Sequence, residues 1–259
     1  MKNYKRILAL TLLFLAVFAL TFLLVLKIKS YLFIKNIESE NQNTVEEAKK
    51  TLQTPVTTAK VLKGNHILRG EPDKPISSTG YLEVPFICQA PLETVENWKL
   101  HEESCEEAAL LQAYLYITGK TMTKQEANEE ILKMINWQEQ NFGEHYDIYA
   151  DQVKEMAMKF YNLKETQLEI IENAQIDDIK KAINEGHPVV VPITGSILKN
   201  PYYPYPGYHM LVAIGYTSDK IITNDNGTRK GKDFSYDIAI FEAAMKDAGG
   251  EILILKQNQ

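Results

Sequence analysis

The stretch ILALTLLFLAVFALTFLLVL, Ile7 to Leu26, runs twenty residues without a charge. As a helix it has no polar face to turn to water. At about 1.5 Å per residue it is roughly 30 Å long, the thickness of a bilayer's hydrocarbon core. A cleaved signal peptide has a shorter apolar region and a small-residue cleavage site. The following VLKIKSYLF offers no such site. The expectation is a signal anchor at residues 7–26 behind a short stub, 1–6. Lys2, Lys5 and Arg6 flank one end and Lys27, Lys29 and Lys35 the other, so the positive-inside rule is nearly silent. With only six residues before the span, the stub is expected inside and the rest outside the cytoplasm.

Residues 27–80 are expected to form a stalk. NIESENQNTVEEAKKTLQ is polar, charged and partly helix-favouring; the Thr-, Pro-, Gly- and Lys-containing segment after it has no period. Residues 81–259 are then the folded domain. Hydrophobic content of 45% supports a real core. Net charge is −6, and residues 1–35 hold six basic and no acidic residues, which leaves −12 for the remainder. An acidic folded part argues against nucleic-acid binding, which needs a basic face to meet phosphates.

The domain opens with YLEVPFICQAP, a short strand broken by prolines. Cys105 to Thr118 carries Ala108, Leu111, Tyr114 and Leu115 at helical spacing and stops at Gly119. Thr123 and Glu126 form a capping-box pattern before a second helix. Ala150 to Phe160 marks a third helix, and residues 176–185 a fourth. Then PVVVPI, YHMLVAIGY, KIITND and GEILILK read as strands, with a hairpin around Ser218–Lys220. Helices followed by mostly antiparallel strands predict an α+β fold, a helical half packed on a sheet, after one transmembrane helix.

Two cysteines cannot build a disulfide framework, and no CxxC pair suggests zinc. Cys105 at a helix start meets unpaired backbone N–H groups and a dipole that favour an anion. Glu106 and Glu107 oppose this by repulsion, and helix rotation is expected to point them away from the thiol. His209 opens a strand. If 208–216 and 220–224 form a hairpin, Asp225 returns to the end where His209 sits, as a base and its orienting group require. Gln89 is a neutral donor suited to an oxyanion hole together with the Cys105 N–H.

VPFICQAP, NWKLHEESCEEAALLQAY, GYHMLVAIGY and TNDNGT together resemble the papain-like cysteine peptidases. The branch they are most similar to is the bacteriocin-processing, double-glycine leader peptidases. The resemblance covers about residues 81–256. It implies that Gln89 supplies the oxyanion hole, Cys105 attacks, His209 acts as base and Asp225 orients it. It implies hydrolysis of a peptide or protein substrate with no cofactor. No transporter domain follows, so a leader peptide exported by the same chain is not expected. Asp225-Asn226-Gly227 departs from the Asp-Pro-Gly-like turns of relatives, and Cys88 is unusual beside the glutamine.

Other readings attach to the same residues. Cys105 could be buried filler, and Cys88, on an apolar strand, is expected in the core. A Cys88–Cys105 disulfide would silence the nucleophile. His101, Glu102, Glu103 and Cys105 lack metal-ligand spacing, so no metal is expected. His101 is read as an exposed loop residue or a cleft wall, His145 as a surface residue, His187 as structural, His66 as part of the stalk and Trp98 as a packing anchor. Asn224 and Asn226 compete with Asp225, which is favoured because a carboxylate stabilises imidazolium better. The Tyr/Pro segment 201–208 is either a rigid turn or a substrate contact. An acyltransferase or amidase on the same triad, and a non-catalytic binding module of the same fold, are the rival functions.

Overall fold

A computed structural model describes residues 2–52, 76–92, 94–203 and 207–257. His66 and most of the expected stalk, residues 53–75, lie outside the described residues, as do Pro204, Tyr205 and Pro206 of the Tyr/Pro segment. The chain divides into two units, Met1–Gln42 and Asn43–Gln259.

The first unit is one helix, the greater part of α1 (Lys2–Leu52). It is long and apolar enough to cross a membrane, a property that signal sequences share. Its large apolar side chains from Leu10 to Phe33 are exposed, so no protein core covers them. The polar NIESENQNTVEEAKKTL continues the same helix instead of breaking it. Within the second unit the last turns of α1 are packed: Ala48 is fully buried, and the Lys49 ammonium lies 4.5 Å from the centre of the Tyr81 ring.

The second unit is built on a seven-stranded sheet whose pairs are all antiparallel. Its strands are β1 (Gly80–Tyr81), β2 (Leu168–Ile171), β3 (Val189–Thr194), β4 (Tyr208–Tyr216), β5 (Lys220–Asn224), β6 (Phe234–Asp237) and β7 (Ile252–Leu255). They run in the order β2-β7-β3-β4-β5-β6, and β1 pairs with the far end of β4. The central strands β3 and β4 are buried almost throughout, which explains why PVVVPI and HMLVAIGY read as continuous apolar runs rather than alternating ones. Of the expected first strand only Gly80–Tyr81 pairs. Pro85 and Pro91 cannot donate to a ladder, and the segment between is held by single bonds such as Gln89 N–H to the Asn226 carbonyl, 3.0 Å.

Four helices match the sequence reading: α3 (Cys105–Thr118), α4 (Lys124–Phe142), α5 (Ala150–Lys159) and α6 (Ile176–Asn184). Gly119 ends α3 in the left-handed conformation, and Thr123 and Glu126 close the capping box of α4. Leu110, Leu111 and Leu115 of α3 are fully buried, and the helix packs on β4. Elements beyond that reading are α2 (Val95–Leu100), α7 (Gly195–Leu198), α8 (Ile238–Asp247) and the strands β2 and β6. The sheet and the buried α3 make the fold α+β, as the order of elements predicts.

Candidate functional site

Cys105 is the first residue of α3, preceded by Ser104 at the cap position. His209 is the second residue of β4, opposite Ile193 on β3. The β4–β5 hairpin turns through Thr217–Lys220 and pairs Val212 with Asn224, so Asp225 emerges beside the start of β4. The His209 ring donates from Nε2 to Asp225 Oδ1 at 3.0 Å, which leaves Nδ1 as the ring's proton-accepting atom. A cleft of about 240 Å³ is lined by Gln89, Trp98, Glu102, Glu103, Cys105, Tyr203, His209 and Gly227. Three of the four predicted site residues therefore line one cleft, and the fourth, Asp225, stands behind His209.

Asp225 is fully buried and well supplied with donors. Oδ1 also accepts from the Gly227 N–H at 3.1 Å, and Oδ2 accepts from Tyr203 OH at 2.7 Å, Asn200 Nδ2 at 3.1 Å and Tyr236 OH. Burial alone would push its carboxyl up. The hydrogen bond and charge of His209, with the two tyrosines, outweigh burial and hold it below the usual carboxylate range. Neither neighbouring asparagine competes. Asn224 donates to the Val84 carbonyl, and Asn226 donates to the carbonyls of Cys105 (2.9 Å) and Met210 (3.0 Å). Asn226 thereby ties the start of α3 to the strand that carries His209. The roles of Tyr203, Tyr236 and Asn200 were not legible, although the density of tyrosines before His209 marked the segment.

The surroundings of the thiol correct the sequence reading. Glu106 does not point away: the Cys105 thiol donates to Glu106 Oε2 at 3.0 Å, and Glu106 Oε1 accepts from the Ile148 N–H at 3.1 Å. The carboxylate turns back over the helix start because the 147–148 loop offers it a backbone donor there. Burial, then the Glu106 charge and hydrogen bond, raise the thiol well above its ordinary value, opposed by a bond from the Met210 backbone. Burial and Glu107 raise Glu106 in turn. Asp147, raised to about 6 by burial and by Glu103, completes an acidic surround. Glu107 is fully buried, with His145 Nε2 3.5 Å away, so His145 is a half-buried partner and not a surface residue. His101 is fully buried, its ring bonded to Ser104 and Asn128, and thus pins α2 to α4 instead of standing exposed in a loop.

Gln89 is buried at the cleft wall, and its amide donates to the carbonyls of His101 (2.9 Å) and Glu102 (2.8 Å). It fixes the loop that leads into Cys105. Trp98, expected as a packing anchor, lines the cleft and carries the Arg229 guanidinium 5.6 Å from its ring centre. Both cysteines are free and buried. Among the described residues, the donor atoms that come within 4.8 Å of one another belong to Cys105, Glu106 and Asp147, not to the sequence-local His101–Cys105 run. Both Glu106 oxygens in that group already accept protein hydrogen bonds.

Residues 81–251 match the Peptidase C39 like family. A crystal structure of a candidate C39-like peptidase from Bacillus anthracis superposes with a TM-score of 0.51 at 18% identity, covering 70% of this chain and 98% of that one. No curated protein matches the chain. At that identity the superposition speaks for the fold.

Proposed function

We propose, from the premise that the chain belongs to the peptidase C39-like family, that it is a membrane-anchored cysteine hydrolase of peptide bonds. The observation that carries the reading is the 3.0 Å His209–Asp225 pair opening on the same cleft as Cys105 and Gln89. With Nε2 held by Asp225, Nδ1 is the atom to take the thiol proton. The thiolate then attacks the substrate carbonyl carbon, and the carbonyl electron pair moves to oxygen. The Cys105 N–H at the helix start is one oxyanion donor, and the Gln89 amide becomes the second when it releases one of its two loop carbonyls. As the tetrahedral intermediate collapses, the C–N bond breaks and the departing nitrogen takes the proton from Nδ1. Water then gives a proton to Nδ1, its oxygen adds to the thioester carbon, and the acid leaves as the thiol is restored. Asp225 stays ionised and holds the ring.

In the resting arrangement the thiol is neutral and turned to Glu106. Substrate entry must therefore exchange the Glu106 bond for the histidine. The long apolar α1 supports an anchor; the hydrolase domain is proposed to lie outside the cytoplasm and to take a peptide or protein as substrate. A thiol-directed electrophile on a peptide should label wild-type chain at Cys105 and leave Cys105→Ala unlabelled. Product analysis with and without added amines separates hydrolysis from acyl transfer. Full activity in Cys105→Ala would end the proposal.

A further inference from the structure

A second cavity of about 280 Å³ opens beside Cys88. Phe86, Ile87, Cys88 and Met122 give it apolar walls, and among the described residues its charged lining groups are Lys124 and Arg229, both exposed at its rim, where Arg229 also donates to the Leu92 carbonyl at 3.0 Å. That polarity runs against the rest of an acidic chain, and against the cleft next door, which is lined by Glu102 and Glu103. The two spaces come together along the chain at Cys88–Gln89. Gln89 lines one and Cys88 the other, and Arg229 lies 5.6 Å from the centre of Trp98, a residue of the cleft. The field of the cations reaches Cys88. Burial carries the Cys88 thiol up to about 11, while Arg229 and Lys124 both pull it down.

An apolar hollow rimmed by like charges selects an apolar group that ends in the opposite charge. Guanidinium suits a carboxylate in particular, through its planar fork of donors. We propose that this cavity is a recognition pocket for a carboxylate-bearing apolar segment of the peptide substrate whose scissile bond occupies the adjoining cleft. The assignment of the occupant to the substrate rests on the hydrolase reading; the preference for a carboxylate does not.

Cys88 makes the test direct. In full-length Cys105→Ala protein it is the only thiol of a two-cysteine chain, so its rate of alkylation by N-ethylmaleimide reports on the cavity. The probes are Ac-Leu-Leu-Glu-NH2 and its glutamine counterpart, and octanoate and octanol. Trp98 emission is followed in parallel, with Trp137→Phe as background. A glutamate peptide at about ten times its Kd should slow alkylation roughly tenfold, as mass action requires. The glutamine peptide should protect far less, and Arg229→Gln should remove most of the difference. Equal effects of charged and neutral probes, or no effect on either Cys88 or Trp98, would overturn the proposal. Protection by octanoate without protection by the glutamate peptide would also overturn it, by giving the pocket to a free acid. Since Cys105→Ala cannot turn over, these results stand apart from the labelling experiment that tests the hydrolase itself.

Discussion

At the scale of single residues, the thiol is defined as much by Glu106 as by His209. A carboxylate accepting a hydrogen bond from a buried thiol stabilises the neutral thiol and repels the thiolate. Glu106→Gln removes the charge but keeps an acceptor. The thiol should then ionise at lower pH, and iodoacetamide alkylation of Cys105 near pH 7 should speed up, even with Asp147 and Glu103 still close by. The pH profile of alkylation checks this. An unmoved midpoint would mean that Glu106 is already protonated beside the thiol. Asp225 predicts the opposite sign. Its charge supports the imidazolium that in turn supports the thiolate, so Asp225→Asn should move thiol ionisation to higher pH. It should lower kcat/KM by about 10²–10⁴, on the pattern of orienting acids in other triads. His209→Ala should cost more, because His209 moves the proton in both halves of the reaction whereas Asp225 only holds its ring.

At the scale of elements, the loop between β5 and β6 aims the histidine, and two glycines in it separate geometry from stability. A methyl group on Gly227 would come within 3.0 Å of His209 Cε1 and 3.1 Å of Nε2. The ring must give by a few tenths of an ångström, so Gly227→Ala should lower kcat about tenfold or more with little change in Tm. A methyl group on Gly231 would meet the Asp225 carbonyl oxygen at 1.7 Å, a clash that only backbone movement relieves. Gly231→Ala should therefore lower Tm markedly, and thermal melts beside kinetics distinguish the two. Much at this scale was legible from local chemistry. The capping box at Thr123, the stop at Gly119, and the hairpin that returns Asp225 to His209 each depend on residues a few positions apart. The misses are contacts whose partners carry no local signal. Glu106 meets the Ile148 N–H across 42 positions, and Tyr236 reaches Asp225 through a strand that no alternation announced. The helix Ile238–Asp247 stands among strands because its buried Phe241, Ala244 and Met245 cover β3, a tertiary demand with no clear start or stop signal of its own.

At the scale of the whole molecule, the proposed anchor asks one chain to satisfy two solvents. Leu, Ile, Phe and Val at the centre of a span each favour insertion by about 0.3–0.6 kcal/mol. The uncharged run from Ile7 to Leu26 consists mostly of them, and in water its exposed side chains would form an apolar surface far beyond what soluble monomers tolerate. The Asn43–Gln259 unit has its own buried core and an acidic character, so it has no comparable affinity for lipid. The protein should therefore resist extraction by high salt or alkaline carbonate and come out with detergent. Flanking charges of equal number leave the orientation proposed above to experiment. Protease added to intact cells should then digest the Asn43–Gln259 unit, and permeabilisation should add little. Protection of that unit until the cells are opened would reverse the orientation and put the hydrolase in the cytoplasm. Release without detergent, with a mature amino terminus between residues 27 and 40, would show that the run is a cleaved signal. The cleft chemistry would survive that result and the anchor would not, because the described residues that line the cleft all come from elements after α1.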